Sequence, residues 1–91
     1  MLLIIRCFIF NKLDNSVGLG GIAMIIVKIG ARIRELRKSQ DLSQEKFALK
    51  ADIDRTYLAG IESGKRNPSI KNLEKIINTL GISFHQFFEG M

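Results

Sequence analysis

The sequence predicts an all-α domain of five short helices, and three observations predict it. Apolar residues recur at helical spacing along residues 29–88, as in Ile29, Ile33 and Leu36 or Leu73, Ile76, Ile77 and Leu80. Serine or aspartate stands just ahead of four of the periodic stretches, where a helix needs an N-cap. No pair of alternating segments offers the two partners a sheet requires. The chain has 91 residues and 10.3 kDa, which is one small domain without room for a second core.

The first predicted helix carries Ile29, Ile33 and Leu36 on one face and Arg32, Arg34, Arg37 and Lys38 on the others, and ends near Ser39. Gln40-Asp41-Leu42 breaks the pattern. Ser43 caps a second helix with Gln44 and Glu45 in its first turn, Phe47 and Ala48 inward, and an end near Ala51-Asp52. Asp54 is the N-cap of a third, whose inward residues are Leu58 and Ile61. Gly64-Lys65-Arg66-Asn67-Pro68-Ser69 is a loop of turn residues. Ser69 caps a fourth helix with Ile70, Leu73, Ile76, Ile77 and Leu80 inward, and Gly81 is its C′ stop. Ser83 starts a last short helix bearing Phe84, Phe87 and Phe88, read as partly core and partly dimer interface.

The chain is not uniform. Residues 1–23 form an apolar N-terminal extension, with 14 apolar residues and only Arg6, Lys12 and Asp14 charged. Residues 24–91 hold 12 of the basic and 8 of the acidic residues, and are read as the domain proper. The apolar run Leu2–Phe10 is broken by Arg6 and falls short of the roughly 20 residues of a membrane span. No basic residue precedes it, as a signal peptide would require. It would suit a short strand, but has no partner; the plainer reading is that translation begins at Met24. An intact mass starting at Met24 is then expected, against the mass of all 91 residues.

Composition excludes several function classes. One cysteine and one histidine cannot make a zinc module or an internal disulfide, and no Ser/His/Asp or Cys/His catalytic set is read in the chain. Cys7 has no nearby partner for nucleophilic work, and His85, alone on a short amphipathic helix, is read as packed or solvated. Gly18-Leu19-Gly20-Gly21 lacks the spacing and flanking elements of a dinucleotide fingerprint. No enzyme, no metal, no cofactor and no small-molecule ligand is expected. Without a disulfide framework, a reducing, cytoplasmic setting is expected. The net charge of +5 and pI near 9.7 suit a polyanionic partner.

The second and third helices are joined by Ala51-Asp52-Ile53, the spacing of a helix-turn-helix, whose second helix enters a DNA major groove. Ala48 is the small residue needed where the helices cross, Ile53 the apolar residue of the turn, and Leu58 and Ile61 the inner face. The outer face begins with Arg55, Thr56 and Tyr57. Arginine bonds guanine O6 and N7 bidentately, and threonine meets a thymine methyl, a base or a phosphate. Gln44 sits where free N–H groups favour a phosphate, and Lys65, Arg66 and Asn67 follow the recognition helix as a second such cluster. Each has a blander reading: Arg55 solvated, Tyr57 packed on the first helix, Lys65 merely solubilising, Glu62 in an internal ion pair or facing water.

Ser43-Gln44-Glu45-Lys46-Phe47-Ala48, with Asp54-Arg55-Thr56-Tyr57 through Gly64-Lys65-Arg66-Asn67-Pro68-Ser69, resembles the phage repressor/Cro-type helix-turn-helix family. Within that family it is most similar to the controller proteins of restriction–modification systems. The resemblance spans residues 29–88 and implies a five-helix, repressor-like DNA-binding domain acting as a homodimer on double-stranded DNA with a near-palindromic operator. It implies base contacts from Arg55, Thr56, Tyr57 and Arg66, and phosphate contacts from Gln44, Asn67, Asn72 and Arg37, beside Lys65. A phage-type repressor or an antitoxin on its own operator is the alternative. One departure stands out: the turn position often filled by glycine is Asp52, and aspartate tolerates the left-handed conformation better than most residues.

Overall fold

A computed structural model describes residues 21–89 and 91. Leu2–Phe10, Cys7 and the rest of residues 1–20 lie outside it. Five helices follow one another: α1 Gly21–Ser39, α2 Gln44–Ala51, α3 Arg55–Glu62, α4 Ile70–Leu80 and α5 Phe84–Glu89. No strand occurs among the described residues. α1 packs across α3, while α2 packs against both α3 and α4.

The ends of these helices are fixed largely by the residues the sequence points to. Ser43 and Ser69 have extended backbones, and their hydroxyls accept from the Lys46 and Asn72 N–H groups, both at 3.1 Å. Asp54 holds the N-cap position of α3 with φ −71° and ψ 137°, but its carboxylate makes no capping bond. Ser83 and Gln86 bond reciprocally, side chain to backbone, at the head of α5. Gly81, at φ 75°, closes α4 in the left-handed region.

The core gathers Ile33 from α1, Phe47, Ala48 and Ala51 from α2, Leu58 and Ile61 from α3, four residues of α4, and Phe87. Two placements differ from the sequence expectation. Ile70 is 79% exposed rather than inward; as the first residue of α4 it lies outside the contact that begins at Leu73. Phe87 is fully buried within the protomer and has no surface left for a partner, whereas Phe84 and Phe88 remain 41% and 40% exposed.

α1 also begins earlier than its apolar stripe. Periodicity is visible only from Ile29 because the preceding turns reach past the core, leaving Ile25 and Val27 exposed. Where α1 crosses α3, Gly30 lets the backbones meet. A Cβ there would collide with the Ile61 carbonyl oxygen and stand 3.2 Å from the Glu62 Cα.

Candidate nucleic-acid interface

The turn between α2 and α3 is built as its sequence implies. Asp52 adopts φ 57°, ψ 49°, and its N–H bonds the carbonyls of Ala48 and Leu49. The Ile53 N–H then bonds the Ala48 carbonyl at 3.0 Å, and its side chain packs on the core. Buried Ala48 is small enough for α3 to cross close by, anchored through Leu58 and Ile61. α3 is thereby held with its inner face sealed and its N-terminal outer face free.

On that outer face Arg55 and Thr56 are exposed in the first turn, with N–H groups that have no intrahelical acceptor. Tyr57 is half-buried and leans toward α4 rather than α1. Its hydroxyl accepts from the Asn72 side-chain amide at 3.1 Å and from the Ser69 N–H at 3.3 Å. The Arg66 guanidinium carbon lies over the Tyr57 ring, 5.6 Å from its centroid. Gly60 holds the loop beyond α3: its carbonyl accepts from the N–H groups of Lys65 and Arg66 and from the Ser63 hydroxyl. Lys65, Arg66 and Asn67 are all exposed there.

The phosphate ligands implied by resemblance divide. Gln44 stands half-buried at the N-terminus of α2, and its amide donates to Glu62 at 3.1 Å. Arg37 turns inward. It is 6% exposed, with Nε and Nη2 donating to the two Glu62 carboxylate oxygens at 2.7 and 2.9 Å, and Nη1 to the Leu42 carbonyl. These bonds turn its forked donors into the fold, toward Glu62 and Leu42. Asn72 likewise uses its amide on Tyr57.

The internal partner of Glu62 is therefore Arg37. A signal was present: Glu62 stands four residues after Leu58 and Arg37 four after Ile33, so both charges fall on inner faces of facing helices. Arg34, exposed beside Arg37, Gln44, Ala59, Glu62 and Ser63 on an open hollow, is a further cation at this surface, and nothing in the spacing of the first helix marks it out. Among the described residues no group of three or more His, Cys, Asp or Glu could hold a metal ion. Nor is any described helix long and apolar enough to cross a membrane.

A small all-helical domain with one crossed helix pair, a sealed inner face and a basic outer face is a helix-turn-helix protein. The Helix-turn-helix family matches residues 33–87, and the chain belongs to it. Its relatives include control protein C.MunI of Mycoplasma sp, 51% identical over 68 residues, covering 74% of this chain and 92% of that protein. Control protein C.BamHI of Bacillus amyloliquefaciens is 46% identical over 54 residues, covering 58% and 67%. Among solved structures, the restriction–modification controller protein C.AhdI from Aeromonas hydrophila matches with a TM-score of 0.66 and 40% identity, over 75% of this chain and 98% of that one. The controller C.Esp1396I, as a tetramer with its natural 35 base-pair operator, matches with a TM-score of 0.67 and 41% identity over 70% and 84%.

Proposed function

We propose that this protein is a sequence-specific DNA-binding transcriptional regulator, acting as a homodimer that controls a restriction–modification operon together with its own gene. The observation that carries this reading is the exposed Arg55-Thr56 pair at the free N-terminus of a helix whose inner face is buried against α1 and α2. Similarity to controller proteins, one of them solved on its operator, supports it. So do single-residue variants of C.Esp1396I solved at three successive positions, an arginine, a threonine and a tyrosine, the order of Arg55-Thr56-Tyr57 here. The protein works in the cytoplasm by binding alone, with no catalytic step and no cofactor.

In this reading Arg55, Thr56, Tyr57 and Arg66 meet base edges, while Gln44, Lys65 and Asn67 hold phosphates. Two recognition helices related by a two-fold axis lie about 34 Å apart, one turn of DNA, so the operator is near-palindromic. A nuclease footprint upstream of the protein's own gene, with excess random competitor, tests this. Symmetric protected half-sites one turn apart are expected; protection that competitor abolishes would overturn autoregulation. At the residue level, Arg55→Ala costs about 1–3 kcal/mol on the operator and much less on random DNA, whereas Lys65→Ala weakens both alike. Filter binding on the two DNAs distinguishes these.

A further inference from the structure

Gly60 lies inside α3, where glycine is the poorest residue after proline. Three other glycines of the fold have an evident cause. Gly30 faces the α3 backbone, while Gly64 and Gly81 have φ of 79° and 75°. None of this applies to Gly60, whose φ is not positive. The nearest atoms that a Cβ added there would meet belong to the Arg66 side chain, with Cγ at 2.7 Å and Cβ at 3.4 Å. Arg66 is exposed, so core packing does not require this space. Its aliphatic stem lies across the bare Gly60 Cα, its N–H bonds the Gly60 carbonyl at 3.1 Å, and its guanidinium covers the Tyr57 ring. Tyr57 precedes Gly60 by three residues, on the same side of the helix.

The other end of Tyr57 is fixed from α4. Its hydroxyl already accepts from Asn72 and Ser69, so both lone pairs are used and its own proton remains to be given. Tyr57 and Arg66 thus form one held surface that offers donors only.

We propose that Gly60 and Asn72 are positioning residues that lock Tyr57 and Arg66 into a single donor-only recognition unit for hydrogen-bond acceptors on DNA. The inference rests on the DNA-binding reading above. Gly60 provides the channel in which the Arg66 stem lies, and Asn72 sets the direction of the Tyr57 proton. Neither touches DNA itself.

The test starts from the duplex that the wild-type full chain enriches from a randomised pool, with affinity measured on that duplex and on unselected DNA. Gly60→Ala is expected to lower the ratio of the two affinities about tenfold, with the melting temperature held or raised, because alanine is the better helix former. In Gly60→Ala/Arg66→Ala the ratio falls no further than in Arg66→Ala alone, since the glycine acts through the arginine. Asn72→Asp keeps the shape but turns the bond around: the carboxylate takes the Tyr57 proton and leaves none for DNA. It lowers the ratio in the wild-type background and does nothing more in Tyr57→Phe. An unchanged ratio in Gly60→Ala, or losses that simply add with Arg66→Ala, would overturn the proposal while leaving the DNA-binding reading intact. If the wild-type chain enriches no duplex, that reading falls, and this one with it.

Discussion

Glu62 and Arg37 show how a charged pair can organise an interface from beneath it. Each carries a full charge into a nearly closed space, which is costly unless both are matched and hydrogen-bonded. Here the carboxylate receives two bonds from Arg37 and one from Gln44, and Arg37 gives a third to the Leu42 carbonyl. The pair ties α1 to α3 and fixes the side chain at the head of α2. Glu62→Ala leaves the Arg37 guanidinium buried without its anion and is expected to cost about 3–5 kcal/mol of stability in a denaturant titration. A loss below about 1 kcal/mol would mean that Arg37 finds water or another acceptor. At this scale the sequence was only partly legible. Composition and spacing marked Arg55, Thr56, Lys65 and Asn67 as exposed polar residues on the right elements. They did not reveal that Arg37 turns inward or that the Tyr57 hydroxyl is held by α4. Those outcomes depend on contacts between residues 15 to 25 positions apart.

Among the elements, the turn and the helix crossing carry the sharpest constraints. Asp52 occupies a left-handed backbone that glycine enters without steric cost. Asp52→Gly is therefore expected to stabilise the domain by up to about 1 kcal/mol, and Asp52→Val to destabilise it by at least as much, both read from melting curves. Gly30 is the opposite case. Its Cβ would strike the α3 backbone, which cannot swing aside as a side chain can. Gly30→Ala is expected to cost about 2–4 kcal/mol despite alanine's better helix propensity, since overpacking here pushes two helices apart. If Gly30→Ala melts at or above the wild-type temperature, the close crossing of α1 and α3 is not maintained in solution. Helix identity and caps were readable because capping is local chemistry: Ser43, Ser69 and Gly81 need only their immediate neighbours. The early start of α1 and the exposure of Ile70 were not. Both depend on where a facing helix ends, which no periodicity within one segment records.

At the scale of the whole molecule, α5 is fastened to the protomer on one side and keeps an apolar face exposed on the other. Arg32 of α1 reaches across to the free carbonyls at its end, with Nε to Phe87 at 2.8 Å and Nη2 to Gln86 at 3.0 Å. Buried Phe87 pins the helix from below, its ring edge-on to that of Phe88 at 5.0 Å. Phe84 and Phe88, four residues apart, consequently share an exposed apolar face. In the homodimer proposed above, Phe88→Glu is expected to shift the protein toward monomer in sedimentation equilibrium with little change in melting of the protomer. Phe87→Ala should instead lower stability by about 3–5 kcal/mol through the cavity it leaves. If Phe88→Glu sediments as wild type does, the partner surface lies elsewhere. The sequence showed three phenylalanines too closely spaced for one small core; only the packing decides which of them the core takes.

The placement of Tyr57 has one more consequence. The chain contains a single tyrosine and no tryptophan. Phenylalanine absorbs at shorter wavelength, so fluorescence excited beyond its band comes from one phenol ring, which lies beneath a guanidinium on α3. The molecule carries its own optical reporter on α3, and a titration with duplex tests the proposed contact by the light of that one side chain.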